Sequence, residues 1–125
     1  MLIFHNFFCR GNVIKPKEAT KEPYVHYECT ENDSLWTLLM TNPDGHFSEN
    51  TSEYLHWMVT NIKGNDLSTG QVVAPYLQPF PPFGTGYHRF VFILFKQVRE
   101  HQYNKVQFMF VNVSTLVLAI FMAQF

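Results

Sequence analysis

The sequence predicts an all-β fold, an antiparallel β-sandwich built around one hydrophobic core. Three observations predict it. Short runs rich in β-branched and aromatic residues recur along the chain, and glycine- and proline-rich turns separate them. No stretch carries the long amphipathic period of a surface helix. At 125 residues and 46% hydrophobic, with 13 Phe and 6 Tyr, the chain has enough apolar surface to fill a single core. It contains no internal repeat and no low-complexity tract, so one domain is expected.

The elements follow in chain order. Residues 1–10 open with MLIFHNFF, an apolar lead too short to span a bilayer and without the basic flank or cleavage site of a signal peptide. GNVIKPKEATKE (11–22) is polar and irregular, and PYVHYE (23–28) alternates as a short strand. TENDS (30–34) turns the chain into the strand LWTLLMT (35–41). NPDG then ends that strand, because proline presets φ and Asp and Gly suit the positions after it. HFSENTSE (46–53) reads as a solvated loop. In YLHWMVTNI (54–62), strand alternation places Tyr54, His56, Met58 and Thr60 on one face and Leu55, Trp57 and Val59 on the other. KGNDLSTG (63–70) is a long turn, and Pro75 makes QVVAPYL (71–77) an edge strand. QPFPPFGTG (78–86) excludes regular structure. YHRFVFILFKQ (87–97) is the most apolar strand and is expected at the centre, buried on both sides. Residues 106–125 are uncharged and long enough to cross a bilayer, yet Gln107, Asn112, Ser114, Thr115 and Gln124 favour a buried β-segment. Membrane contact is therefore expected only through 106–125, if anywhere.

Charge and motifs restrict the function. Nine Lys+Arg against ten Asp+Glu leave a net charge of −1, which does not make the basic face of a free-standing nucleic-acid binder. Any role on RNA has to be peripheral. Cys9 and Cys29 lack zinc-finger or CxxC spacing and read as reduced, packed thiols, with one disulfide as the open alternative. There is no GxSxG, Walker A, HExxH or GxGxxG pattern, so neither enzymatic activity nor a cofactor is expected.

The chemistry-bearing residues stand at strand ends. Asp44 lies in NPDG, His56 in the 54–62 run, and His88 and Arg89 open the 87–97 strand after a glycine-rich turn. If these strands are neighbours, Asp44, His56 and His88 meet at one rim and can hold an anion. Two imidazoles supply N–H donors, and the GTG turn offers backbone N–H groups. A carboxylate beside the histidines would orient them and favour their charged form. Plainer alternatives stay open: His56 packed and bonded to backbone, Asp44 as turn chemistry, Arg89 paired with a carboxylate such as Asp66. A zinc site from Asp44, His56 and His88 has no recognised ligand spacing, and no metal is expected.

Taken together, Asn42-Pro43-Asp44-Gly45-His46, the stretch NIKGNDLSTGQVV and Gly86-Tyr87-His88-Arg89 leading into FVFILFKQ resemble the phosphatidylethanolamine-binding protein (PEBP) family. That family carries a D-P-D-x-P segment and a G-x-H-R segment. The resemblance implies a β-sandwich with Greek-key connections and a small anion pocket formed by Asp44, His56 and His88, supported by Asn42, Gly86 and Arg89. Family pockets hold phosphate-type head groups, and members act as scaffolds or inhibitors more often than as enzymes. This chain departs at four places: Asn42 replaces an aspartate, His46 a proline, Leu55 a histidine, and Phe90 an aromatic hydroxyl. Each change removes a polar contact, which marks the pocket as vestigial.

The segments GNVIKPKEA, SLWTLLMTNPDGHF, EYLHWMVTNI, GQVVAPYLQPFPP and YHRFVFILFKQ resemble the branch of the family built into the large subunit of the mitochondrial ribosome. For this branch the resemblance implies a non-catalytic packing module in the mitochondrial matrix. Its partners would be other large-subunit proteins, with peripheral rRNA contacts. On the same resemblance the PEBP-like domain covers 11–97 and is incomplete at its C-terminus, 98–125 being a divergent hydrophobic tail of a truncated or alternatively ended form. Such a form is expected to be poorly soluble unless the tail supplies a substitute strand. The alternative function is a binding module for phospholipid head groups or phosphorylated partners.

Overall fold

The computed structural model describes residues 2–5, 13–44, 54–100 and 116–123. Among these the chain is β throughout, apart from two short 3-10 turns at Pro16–Glu18 and Leu67–Thr69. The strands are β1 (Leu2–His5), β2 (Val13–Ile14), β3 (Tyr24–Tyr27), β4 (Leu35–Asn42), β5 (Tyr54–Lys63), β6 (Gln71–Ala74), β7 (His88–Gln97) and β8 (Leu116–Ala123). β1 and β3 form a two-stranded sheet, and the other six run in the order β2-β8-β7-β4-β5-β6. Every pairing is antiparallel except β2 with β8, which is parallel and two residues long. The loop expected at 46–53 lies outside the described residues, as do residues 106–115 of the tail.

The strand runs read from the sequence form strands, and proline sets their limits. β4 ends at Asn42 because Pro43 has no N–H for the ladder, and β6 ends at Ala74 ahead of Pro75 and lies at the sheet edge. The apolar run after Tyr87 is central, as expected, flanked by β4 on one side and β8 on the other. Within the tail, Leu116–Ala123 pairs along β7 from His88↔Ala123 to Phe95↔Leu116. That stretch therefore supplies β7 with a partner. No helix among the described residues is long and apolar enough to cross a membrane.

The core lies on one face of the large sheet. Leu38 and Met40 of β4, Trp57 and Val59 of β5, and Phe90 and Phe92 of β7 are all buried. Val25 and Tyr27 of β3 join the same cluster, so the small sheet covers that face and two layers result. The Tyr27 ring packs 5.4 Å from that of Trp36, and its hydroxyl donates to the Gly64 carbonyl at 2.7 Å. β7 is less symmetric than its composition suggests. His88, Phe90, Phe92 and Leu94 are buried, whereas Arg89 is exposed and Val91 and Ile93 are half-buried. Alternation is retained as far as Leu94, and on the second face Phe95 alone is buried.

Two bulges in β5 determine what reaches the core. Met40 pairs with Trp57 and Thr41 with Leu55, which leaves His56 as the extra residue. The regular alternation expected for 54–62 therefore fails there. Trp57 lies in the core cluster, and the His56 ring packs 4.9 Å from the buried Phe90 on the same side. Further along, Trp36 pairs with Ile62 and Leu38 with Val59, and Asn61 takes a left-handed φ of 55°. Gln97 of β7 secures this second bulge. Its Oε1 accepts from the Thr37 hydroxyl at 2.9 Å and the Asn61 N–H at 2.8 Å, while its Nε2 donates to Asn61 Oδ1 at 2.8 Å.

Candidate functional site

A cavity of about 300 Å³ opens where β4 ends and where β5 and β7 begin. Asn42, Asp44, His56 and His88 all line it, so residues distant in sequence converge as the topology requires. Arg89 lies beside it on Asp44, and Gly86 sits in the turn entering β7 with φ of 81°. Tyr54, Phe80 and Tyr87 supply aromatic walls.

Asn42 and His88 form the floor. The Asp44 N–H donates to Asn42 Oδ1 at 2.9 Å, closing an Asx turn across Pro43. That contact orients the amide, so Nδ2 faces His88 Nδ1 at 3.3 Å. His88 Nε2 reaches the Thr85 hydroxyl at 2.7 Å, and that hydroxyl donates to the Pro82 carbonyl at 2.7 Å. Glycine makes this approach feasible. The Thr85 N–H bonds the Pro82 carbonyl at 3.2 Å, and Gly84 at φ 83° occupies the third position of this tight turn, as a type II turn demands. The Thr85 N–H thus closes a turn and does not point into an anion cradle, contrary to what the GTG sequence suggests.

Asp44 is committed to Arg89. Its Oδ1 accepts from Nη2 at 2.7 Å, and its Oδ2 accepts from Nε at 3.0 Å and from the Arg89 backbone N–H at 2.7 Å. This bidentate pair holds the Asp44 carboxyl below its ordinary range, the guanidinium hydrogen bonds being the main cause. Two expectations change here. Arg89 pairs with Asp44 and not with Asp66, and the carboxylate that was to orient the histidines orients the arginine. Side-chain contacts with Asn42 and Thr85 take that role at His88.

His56 is held by Leu77. The Leu77 N–H donates to the His56 carbonyl at 2.8 Å, and His56 Nδ1 donates to the Leu77 carbonyl at 2.9 Å. A carbonyl can only accept, so Nδ1 carries the proton and Nε2 is the acceptor of the neutral ring. Three aromatic rings enclose the imidazole, with centroids 5.1 Å away at Tyr54, 5.4 Å at Phe80 and 4.9 Å at Phe90. Burial pushes its pKa down, and the Leu77 contact only partly offsets this.

Sequence reasoning missed Thr85, Phe80, Tyr54, Tyr87 and the carbonyls of Leu77 and Pro82. The one available signal was QPFPPFGTGY, whose aromatics are too numerous for a plain loop. Among the described residues, no group of three or more His, Cys, Asp or Glu is arranged to hold a metal ion.

Residues 6–121 match the family profile described as phosphatidylethanolamine-binding protein. The chain belongs to the PEBP family. Solved structures agree at the level of fold. A carboxypeptidase Y inhibitor, determined in complex with its cognate proteinase, is similar at a TM-score of 0.70 and 22% identity over 91% of this chain and 76% of its own. A phosphatidylethanolamine-binding protein from Plasmodium vivax gives 0.60 and 27% over 74% of this chain and 56% of its own. One from Plasmodium falciparum gives 0.65 and 20% over 98% and 84%. For this PEBP member, the cavity between the ends of β4, β5 and β7 is the candidate site.

Proposed function

We propose that this PEBP member is a non-catalytic binding module whose cavity takes a phosphate-type head group, carried by a phospholipid or a phosphorylated partner. The observation that carries this reading is the convergence of Asn42, His56 and His88 on one aromatic-walled cavity of about 300 Å³. That volume is at the small end for ligand sites and fits a head group better than an extended molecule. The family description supports the same ligand class. Titration with phosphoethanolamine, followed through the imidazole NMR signals, tests it. The His56 signals should shift progressively, and unchanged signals at millimolar ligand would end this reading.

A second reading is favoured by the five segments that resemble the mitochondrial ribosomal branch. There the chain is a structural component of the large subunit in the matrix, packed against other ribosomal proteins with peripheral rRNA contacts. A net charge of −1 suits protein partners better than RNA. Phe83, 97% exposed beside the cavity, offers apolar contact surface. Sedimentation of mitochondrial lysates decides it: co-migration with the large subunit supports the role, and a protein confined to the top of the gradient removes it.

A further inference from the structure

The cavity opens through an apolar rim. Residues 71–87 contain no Asp, Glu, Lys or Arg, although such residues make up 15% of the chain. Leu77, Phe80, Pro82, Phe83 and Tyr87 of this segment are exposed, and so is Tyr54 at the start of β5. Tyr54, Phe80, Pro82 and Tyr87 also line the cavity, so its wall continues outward into the rim. Singly exposed apolar residues are ordinary on a protein surface, whereas a cluster of them marks a contact surface. Phe83 is the most exposed large apolar residue among the described ones, at 97%. It occupies the second position of the Pro82–Thr85 turn. The Thr85 N–H and hydroxyl both donate to the Pro82 carbonyl, at 3.2 and 2.7 Å, and Gly84 supplies the left-handed φ. Thr85 is tied in turn to His88 at 2.7 Å, at the start of β7. The ring is thus presented on a braced turn, and little backbone ordering remains to oppose binding.

Cavity size selects the partner for this rim. About 300 Å³ takes a head group and leaves no room for acyl chains. A phospholipid drawn out of its bilayer would expose those chains to water, at a cost that grows with every CH₂. Its head group is therefore reached while the chains stay in the membrane, which brings the cavity mouth and its rim onto the bilayer. We propose that the rim formed by residues 77–87 and Tyr54 is a bilayer-docking surface, with Phe83 inserted below the head groups while the cavity takes one of them. This rests on the head-group reading and selects its phospholipid source. Tyr54 and Tyr87 suit head-group depth, since their rings are apolar and their hydroxyls polar. No charged side chain of 71–87 has to be dehydrated on insertion. The contact differs from the one expected through 106–125, where Leu116–Ala123 is paired along β7.

Co-sedimentation of the full chain with vesicles of phosphatidylcholine and phosphatidylethanolamine tests this, alongside titration with soluble phosphoethanolamine. The wild type should partition onto the vesicles. Phe83→Ser should weaken partitioning about tenfold or more, the factor for withdrawing one phenylalanine side chain from apolar surroundings. It should leave phosphoethanolamine affinity unchanged, because Phe83 does not line the cavity. In Phe83→Trp, vesicles should shift the indole emission to the blue by an amount the wild type lacks, and lipids brominated in the acyl chain should quench it. Equal partitioning of the wild type and Phe83→Ser overturns the proposal, as does an emission of Phe83→Trp that vesicles leave unchanged. A wild type that binds phosphoethanolamine but no vesicle also overturns it, keeps the head-group reading and leaves the rim to a protein partner. A wild type that binds neither removes the head-group reading, and the docking surface with it.

Discussion

At the residue scale, the site depends on which partner each polar atom has already taken. Asp44, His56, His88 and Arg89 were legible as candidates because they stand at the ends of apolar strands, and Asn42 entered through the family resemblance. Their partners were not legible, since Arg89 on Asp44 and Leu77 on His56 are set by contacts 45 and 21 residues apart. Burial of His56 has a pH consequence. An unfolded imidazole titrates near 6.5, and the folded one titrates lower, so the unfolded state takes the proton first. Stability should therefore fall as the pH drops below about 6.5 and continue falling until the folded value is reached. Urea midpoints measured across this window should show the loss in the wild type and a shallower loss in His56→Gln. Equal slopes would mean that His56 is not the group responsible. Gly84 supplies a separate test. A Cβ there meets nothing within 4 Å, so Gly84→Ala tests the positive φ alone. It should destabilise by about 1–2 kcal/mol and disturb the His88 signals through Thr85. An unchanged urea midpoint would show that the turn does not need glycine.

At the element scale, β5 carries both the core and the site because it bulges. The run YLHWMVTNI announces a strand by composition, and regular alternation is the simplest reading of it. The extra residue at His56 depends on pairing with β4, which no local pattern encodes, so the face assignment could not be read in advance. The clasp of Gln97 was hidden for the same reason. Removing it in Gln97→Ala leaves the buried Thr37 hydroxyl and the Asn61 N–H without this acceptor. A loss of about 1–3 kcal/mol is expected, measured by chemical denaturation. A change within error would show that water or a neighbouring group satisfies both donors.

At the scale of the whole molecule, the all-β class and the central place of the FVFILF strand followed from composition and turn residues. The pairing of β1 with β3 and the parallel β2–β8 contact did not, because they depend on which distant segments meet. The partner of β7 within residues 98–125 shows the difference most clearly. Hydrophobicity marked that stretch as buried, and only the fold shows Leu116–Ala123 completing a ladder. A form ending at Gln97 would leave β7 as a long apolar edge. It should lose its cooperative thermal transition and aggregate, as light scattering would record. A soluble, cooperatively folding 1–97 form would show that β8 is dispensable. The central claim is that the cavity between the ends of β4, β5 and β7 is a head-group site. Its most direct test is a crystal structure of the chain grown with phosphoethanolamine. The phosphate should lie in that cavity, against Asn42, His56 and His88. A structure with the cavity empty, or with the ligand bound elsewhere, would contradict it.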